Sequence, residues 1–309
     1  MADIVISEFM DERAVDSLRR DFNVLHDPTL VDRPGDLSAA LADSRGLIVR
    51  NRTRVDGGLL ARAPKLQVIG RLGVGLDNID LETCKARGIE VCPATGANAA
   101  TVAEYVIAAV LILLRGAFLS SHEVIAGAWP REALVGREVA GKRLGLVGFG
   151  GIARRVAERA TALGMKVAAH DPYLAPDDAA WIKAARMEFA ELLRSSDAVS
   201  LHVPLSPGTR NLIDGAVIAG MRTGAVLVNT ARGGVVDEEA LVEALRSGKL
   251  AGAALDVFAN EPLDARAGAV FADVPNLLLT PHVAGITEEA NLRVSAVTAE
   301  NVRRVLTAE

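Results

Sequence analysis

The chain has 309 residues, half of them hydrophobic but only 4% aromatic, and a formal net charge of −5. That balance excludes the basic footprint needed to bind nucleic acid or an anionic membrane surface, while leaving a local arginine cluster free to hold a small anion. The length fits two domains. Cys84 and Cys92 are too few for a disulfide framework and lack zinc-site spacing, so no metal is expected and both read as reduced core residues of a cytoplasmic protein.

After Met1-Ala2-Asp3 the sequence passes directly into an apolar run, Ile4-Val5-Ile6, with no basic or long apolar leader. A helix is predicted over residues 11–20, with Ala14, Val15 and Leu18 on its apolar face, then a strand at Val24-Leu25 and a helix over 37–42. Strands follow at 46–49, 66–69 and 89–91. The break Pro93-Ala94-Thr95-Gly96-Ala97-Asn98 precedes a long helix from 101 to about 116. Its apolar stretch, 105–114, lies between Glu104 and Arg115. It falls well short of the ~20 residues a membrane span needs, so it reads as a buried helix. An irregular stretch over 129–142 leads into a second α/β series, with strands at 144–147, 167–170, 198–203, 225–229, 251–255 and 277–279. The last helix, 288–306, comes after that series is complete and is expected to return to the first domain. Strands separated by helices predict an α/β fold of two doubly wound parallel sheets. The expected domains are residues 1–97 plus 286–309, and residues 98–285, with a ligand cleft between them.

The run Leu144-Gly145-Leu146-Val147-Gly148-Phe149-Gly150-Gly151-Ile152-Ala153 reads as a buried strand, a tight turn and a helix start. Gly148 permits the turn, Gly150 lets backbone approach a pyrophosphate, and Ala153 keeps helix and strand close. The free N–H groups and dipole of the helix start hold phosphate without a cationic side chain. Asp171 ends the next strand, 18 residues after Ala153, about where a ribose-binding acid is needed. Its carboxylate accepts from a 2′-OH and repels a 2′-phosphate. Pro172-Tyr173-Leu174 offers no arginine to offset that, so NAD is expected rather than NADP.

Three polar clusters sit past later strands: Asn229-Thr230-Ala231-Arg232-Gly233-Gly234, Asp256-Val257-Phe258-Ala259-Asn260-Glu261-Pro262, and Thr280-Pro281-His282-Val283-Ala284-Gly285. Singly, each charged residue could be solvated surface and the histidine structural. Together, behind a dinucleotide motif, Arg232, Glu261 and His282 suit 2-keto acid reduction. The arginine holds the carboxylate, the histidine moves the proton at the C2 oxygen, and the glutamate orients the imidazole.

The chain resembles the D-isomer-specific 2-hydroxyacid dehydrogenases over almost its whole length. The resemblance rests on Gly70-Arg71-Leu72-Gly73-Val74-Gly75-Leu76-Asp77-Asn78-Ile79-Asp80, on Asn98 with Val102-Ala103-Glu104, and on the glycine turn, where Ala153 stands in place of a frequent glycine. It rests further on His170-Asp171-Pro172-Tyr173, Arg232, Glu261 and Pro281-His282. It implies a flavodoxin-like substrate domain and a Rossmann NAD-binding domain. Gly151 and Ile152 would contact the pyrophosphate, and Val203, Thr209, Thr230 and Asp256 would line the nucleotide or nicotinamide side. The backbone amides of Gly73, Val74 and Gly75 would hold the substrate carboxylate, and the long helix with the stretch after it would make a homodimer.

Substrate choice falls to Ile48-Val49-Arg50-Asn51-Arg52-Thr53. If the chain stays extended past the strand, Arg50 and Arg52 share a face and suit a substrate with a second strong anion. The alternative is that Arg52 reaches solvent or pairs with a nearby acid. Within the family this run is similar to that of the sulfolactate-oxidising members, which implies (S)-3-sulfolactate as substrate and 3-sulfopyruvate as product. The rival substrates are 3-phosphoglycerate and hydroxypyruvate or glyoxylate, and the non-enzymatic alternative is an NAD-sensing binding protein of the same fold.

Overall fold

The computed structural model describes residues 2–308. One compact unit runs to Asn98 and resumes at Ile286; the other is Ala99–Gly285.

The first unit is built on five parallel strands: β1 (Ile4–Ile6), β2 (Val24–His26), β3 (Gly46–Val49), β4 (Val68–Arg71) and β5 (Glu90–Pro93), in the order β2-β1-β3-β4-β5. β1 and β3 are buried throughout, as continuous apolar runs must be when helices cover both faces of a sheet. Side-chain alternation divides the core. Ile4, Ile6, Ile48 and Val68 meet Val294, Val302 and Leu306 on one face, while Val5, Leu47, Val49 and Ile69 meet Leu41 and Leu60 on the other. The helix Glu288–Thr307, capped by Thr287, thus packs on this first sheet, as its position in the sequence predicted. Strand order reverses at β1/β3, the switch point where ligands collect in such sheets.

The second unit carries seven parallel strands: β6 (Arg143–Val147), β7 (Lys166–His170), β8 (Ala185–Arg186), β9 (Ala198–Leu201), β10 (Ala225–Asn229), β11 (Leu250–Leu255) and β12 (Leu277–Leu279). Their order is β12-β11-β10-β9-β6-β7-β8, a doubly wound sheet whose switch point lies between β6 and β9. The helices Ala99–Arg115 and Gly151–Ala162 cover one face. Ala153, Ala157 and Ala160 are small enough to bring the second helix close to its neighbours. Leu192, Leu241 and Leu245 close the other face over Leu201, Leu227 and Leu255.

β4 lies two residues beyond the run predicted for it, and β9 ends two residues early. The helices Gly57–Ala61, Leu81–Ala86 and Gly215–Gly220 are too short for a periodic signal, and each starts at an aspartate cap, Asp56, Asp80 or Asp214. Among the described residues no helix is long and apolar enough to cross a membrane, and no group of three or more His, Cys, Asp or Glu could hold a metal ion.

Candidate active site

The glycine turn follows β6 at the switch point of the second sheet. Gly148 has φ 86°, and a Cβ there would come within 2.5 Å of the His202 carbonyl oxygen, so both conformation and space demand glycine. In front of Gly150 and Gly151 there is open room. The helix starts at Gly150 without a side-chain cap, and the Gly151, Ile152 and Ala153 amides have no acceptor among the described residues. Open backbone, unpaired N–H groups and a helix dipole together fit a pyrophosphate. Asp171 is fixed beside this turn. Its Oδ2 accepts from the Phe149 N–H at 2.8 Å and its Oδ1 from the Tyr173 N–H at 3.0 Å. Phe149 is anchored in turn by stacking on Trp181. Val203 borders Gly148, and the Thr230 hydroxyl past β10 is buried without a partner among the described residues. An orphaned buried hydroxyl and unpaired helix-start amides are what an NAD site leaves for its ligand. Thr209 differs: its hydroxyl donates to the Pro204 carbonyl at 2.6 Å and accepts from the Ser206 N–H, closing its own turn.

Arg232 follows β10 on a loop shaped by Asn229, whose side chain donates to the Arg232 carbonyl at 2.9 Å and accepts from the Ala231 N–H at 3.0 Å. At Gly233 a Cβ would lie 1.7 Å from the Phe258 carbonyl oxygen. Only glycine lets the arginine loop press against the glutamate loop. Glu261 accepts from the Phe258 N–H through Oε1 at 3.0 Å and pairs through Oε2 with Nδ1 of His282 at 2.7 Å. Burial pushes the Glu261 carboxyl up, but the His282 and Phe258 hydrogen bonds and the charges of His282 and Arg232 outweigh it, so its pKa lies below the ordinary value. With Nδ1 engaged, Nε2 is the ring nitrogen left for a substrate hydroxyl. Both side chains are about one-third exposed, 35% and 30%, so a ligand can reach them.

Asp256 is 1% exposed. Oδ1 accepts from the Thr280 hydroxyl at 2.6 Å and the Val283 N–H at 2.8 Å, and Oδ2 accepts from the Ala284 N–H at 2.8 Å. Its carbonyl accepts from the His282 N–H at 2.8 Å. These bonds hold His282 at φ 55°, a left-handed conformation uncommon outside glycine. The sequence places Asp256 among the cofactor contacts; in the structure its carboxylate also anchors the histidine loop.

In the first unit, Glu8 sits two residues past β1 and is 5% exposed. It gathers the loop after β3, accepting from the N–H groups of Arg50 (2.9 Å), Thr53 (2.9 Å) and Arg52 (3.2 Å). Asn78 donates to the Arg50 and Thr53 carbonyls from the other side. The loop therefore curls instead of running on extended, and the alternation expected to align Arg50 with Arg52 is lost. Arg50 is drawn inward, with Nη2 donating to Asn291 Oδ1 at 2.9 Å. Burial lowers the pKa of its guanidinium while the Glu8 charge opposes that shift. Arg52 turns outward to pair with Asp32. Of the three amides expected to meet a carboxylate, Gly73 donates to the Arg71 carbonyl, whereas those of Val74 and Gly75 have no acceptor among the described residues.

Sequence reasoning missed Glu8, Asn78 and Asn291. Glu8 had one available signal, a charged residue just past a buried strand. Asn291 had none, because its partner is 241 residues away.

A Rossmann sheet with a phosphate-ready helix start, a carboxylate–histidine pair and a neighbouring arginine defines a nicotinamide-dependent oxidoreductase of hydroxy acids. Residues 107–284 match the NAD-binding domain of the D-isomer-specific 2-hydroxyacid dehydrogenases, and the chain belongs to that family: it is an NAD-dependent dehydrogenase acting on CH–OH donors. It is 57% identical to (S)-sulfolactate dehydrogenase of Chromohalobacter salexigens, over 99% of both chains. It is 41% identical to D-3-phosphoglycerate dehydrogenase of Mycobacterium leprae over 88% of its own length, spanning 51% of that protein. Among solved structures, the TT0316 protein of Thermus thermophilus superposes with a TM-score of 0.89 at 36% identity, covering 99% of this chain and 97% of the other.

Proposed function

We propose that this enzyme oxidises (S)-3-sulfolactate to 3-sulfopyruvate. The observation that carries the reading is Arg50, an inward-held guanidinium at the switch point of the first sheet, in a chain 57% identical to a sulfolactate dehydrogenase. The unit running to Asn98 and resuming at Ile286 is the substrate-binding domain, and Ala99–Gly285 is the NAD-binding domain. Arg50 holds the sulfonate, while Arg232 and the Val74 and Gly75 amides hold the carboxylate. Arg52, paired with Asp32, is left out of the contact set.

Neutral His282 takes the C2 hydroxyl proton at Nε2, and Glu261 stabilises the imidazolium that forms. NAD, when bound, supplies the acceptor for the C2 hydride. The Gly151 and Ile152 amides hold its pyrophosphate, Asp171 its ribose, and Val203 and Thr230 border the rest; Gly148 and Gly150 make the room.

A homodimer is part of the proposal. Ile125, Val135 and Trp129 are 86%, 82% and 76% exposed along one stretch, an apolar surface suited to a second copy. A cytoplasmic location is proposed on the two free, buried thiols, Cys84 and Cys92.

The test is initial rates of NADH formation with (S)-3-sulfolactate, 3-phospho-D-glycerate, D-glycerate and D-lactate at matched concentrations. Sulfolactate should give the highest kcat/KM. A higher value with 3-phosphoglycerate would replace the sulfonate with a phosphate, and parity with D-lactate would remove the second anion altogether.

A further inference from the structure

The helix Ala99–Arg115 sends one polar side chain to the loop that carries the acid–base histidine. The Tyr105 hydroxyl lies 2.6 Å from Thr280 Oγ1, and Thr280 Oγ1 lies 2.6 Å from Asp256 Oδ1. A carboxylate can only accept, so the Thr280 proton is committed to Asp256. The proton between Tyr105 and Thr280 must then come from the phenol. The result is a directed chain, Tyr105 to Thr280 to Asp256, ending on the carboxylate that also receives the Val283 and Ala284 N–H groups. His282 lies between Thr280 and Val283 and is itself tied to the Asp256 carbonyl.

We infer that the Tyr105 hydroxyl is a positioning residue for the proton-transferring histidine, acting through Thr280 and Asp256. Its ring packs against the apolar cluster under the helix, which fixes where the hydroxyl points. Burial pushes the phenol pKa up and the Asp256 charge adds to this, so the phenol stays a neutral donor at neutral pH. Without it, Thr280 Oγ1 loses its donor in a part-buried site. The hydroxyl and then the carboxylate gain freedom to rotate, and the left-handed backbone of His282 relaxes. The Nδ1–Glu261 pair is then met in a smaller share of molecules. Substrate and cofactor binding do not pass through Tyr105, so the loss falls on turnover.

The test is a double-mutant cycle of Tyr105→Phe and Thr280→Val, with Thr280→Ser as the conservative control, using whichever of sulfolactate, 3-phosphoglycerate or D-glycerate turns over fastest. Each single variant should lower kcat roughly five- to tenfold, the rate equivalent of one buried hydrogen bond, with KM for the acid within about twofold. The double variant should be no slower than the slower single, and Thr280→Ser should stay near wild type. Hydrogen exchange provides a readout without substrate: the Val283 and Ala284 amides should exchange faster in Tyr105→Phe while those of β12 do not change. Wild-type kcat in Tyr105→Phe, multiplicative losses in the double variant, or faster exchange spread evenly over the unit would each overturn the inference.

Discussion

Two loops in this protein are organised by the same device and held to different tolerances. Past β1, buried Glu8 collects three N–H groups of the loop bearing Arg50; past β11, buried Asp256 collects two N–H groups and a hydroxyl of the loop bearing His282. The difference lies in what happens to the functional side chain. His282 is fixed twice, by a left-handed backbone held through its loop bonds and by a hydrogen bond from Nδ1 to the Glu261 carboxylate. Arg50 is fixed at its backbone, but its guanidinium is braced by a neutral partner, Asn291. A proton must be delivered over a few tenths of an ångström, so the chemistry is held rigidly. An anion tolerates a softer mount, and under the proposed function substrate choice rests on a guanidinium with a single neutral brace.

Breaking the rigid mount has the largest expected effect. Asp256→Ala strands two loop N–H groups and a hydroxyl in the interior, which costs about 3–5 kcal/mol in stability. Asp256→Asn keeps the volume but turns an NH2 group toward donors. It should lower kcat by more than about a hundredfold, with the fold intact by circular dichroism. Comparable kcat in Asp256→Asn and wild type would show that His282 does not depend on this anchor. The corresponding change in the softer loop, Glu8→Gln, should raise KM for the dianionic substrate by roughly tenfold and leave kcat within about threefold. A kcat loss as deep as that of Asp256→Asn would erase the distinction between the two loops. Asn291→Ala sharpens it further: with Arg50 unbraced, KM should rise about two- to fivefold, measured under the same conditions.

The smallest effect concerns His202, whose Nε2 is shielded from water and has no partner among the described residues. Burial pushes its pKa down to about 4 from 6.5. The unfolded chain therefore binds a proton between those values while the folded one does not, so stability is lost as pH falls through that window. By linkage this single group accounts for about 2 kcal/mol between pH 8 and pH 5. In His202→Asn the difference in urea-unfolding free energy between these pH values should shrink by that amount. An unchanged difference would assign the acid sensitivity to other groups.

The features legible in the sequence are those in which chemistry and position coincide within one short segment. Gly148–Ala153 with Asp171 announces the nucleotide turn because strand, turn and helix are contiguous. Arg232, Glu261 and His282 each follow an apolar run that reads as a strand and forms one, β10, β11 or β12. The side-chain partners that decide geometry were not legible, because they come from other segments. Arg50 and Arg52 alternate in sequence, yet they part company because Glu8, 42 and 44 residues away, bends their loop and Asp32 offers Arg52 an ion pair. Asp256 reads as a strand-end acid, and its bonds to Thr280, Val283 and Ala284 come from a segment more than twenty residues further on. Tyr105 falls in the apolar run of a buried helix, where an aromatic residue carries no sign of its hydroxyl's destination.

The most direct test of a rigid chemical loop and a separate, softer selector is a full set of kinetic constants for Arg50→Gln with (S)-3-sulfolactate and with D-lactate. kcat/KM for sulfolactate should fall by about a hundredfold or more, carried by KM, while the constants for D-lactate stay within about twofold of wild type. Equal losses on both substrates would contradict this separation, since Arg50 would then serve the shared carboxylate or the fold and not the choice of anion.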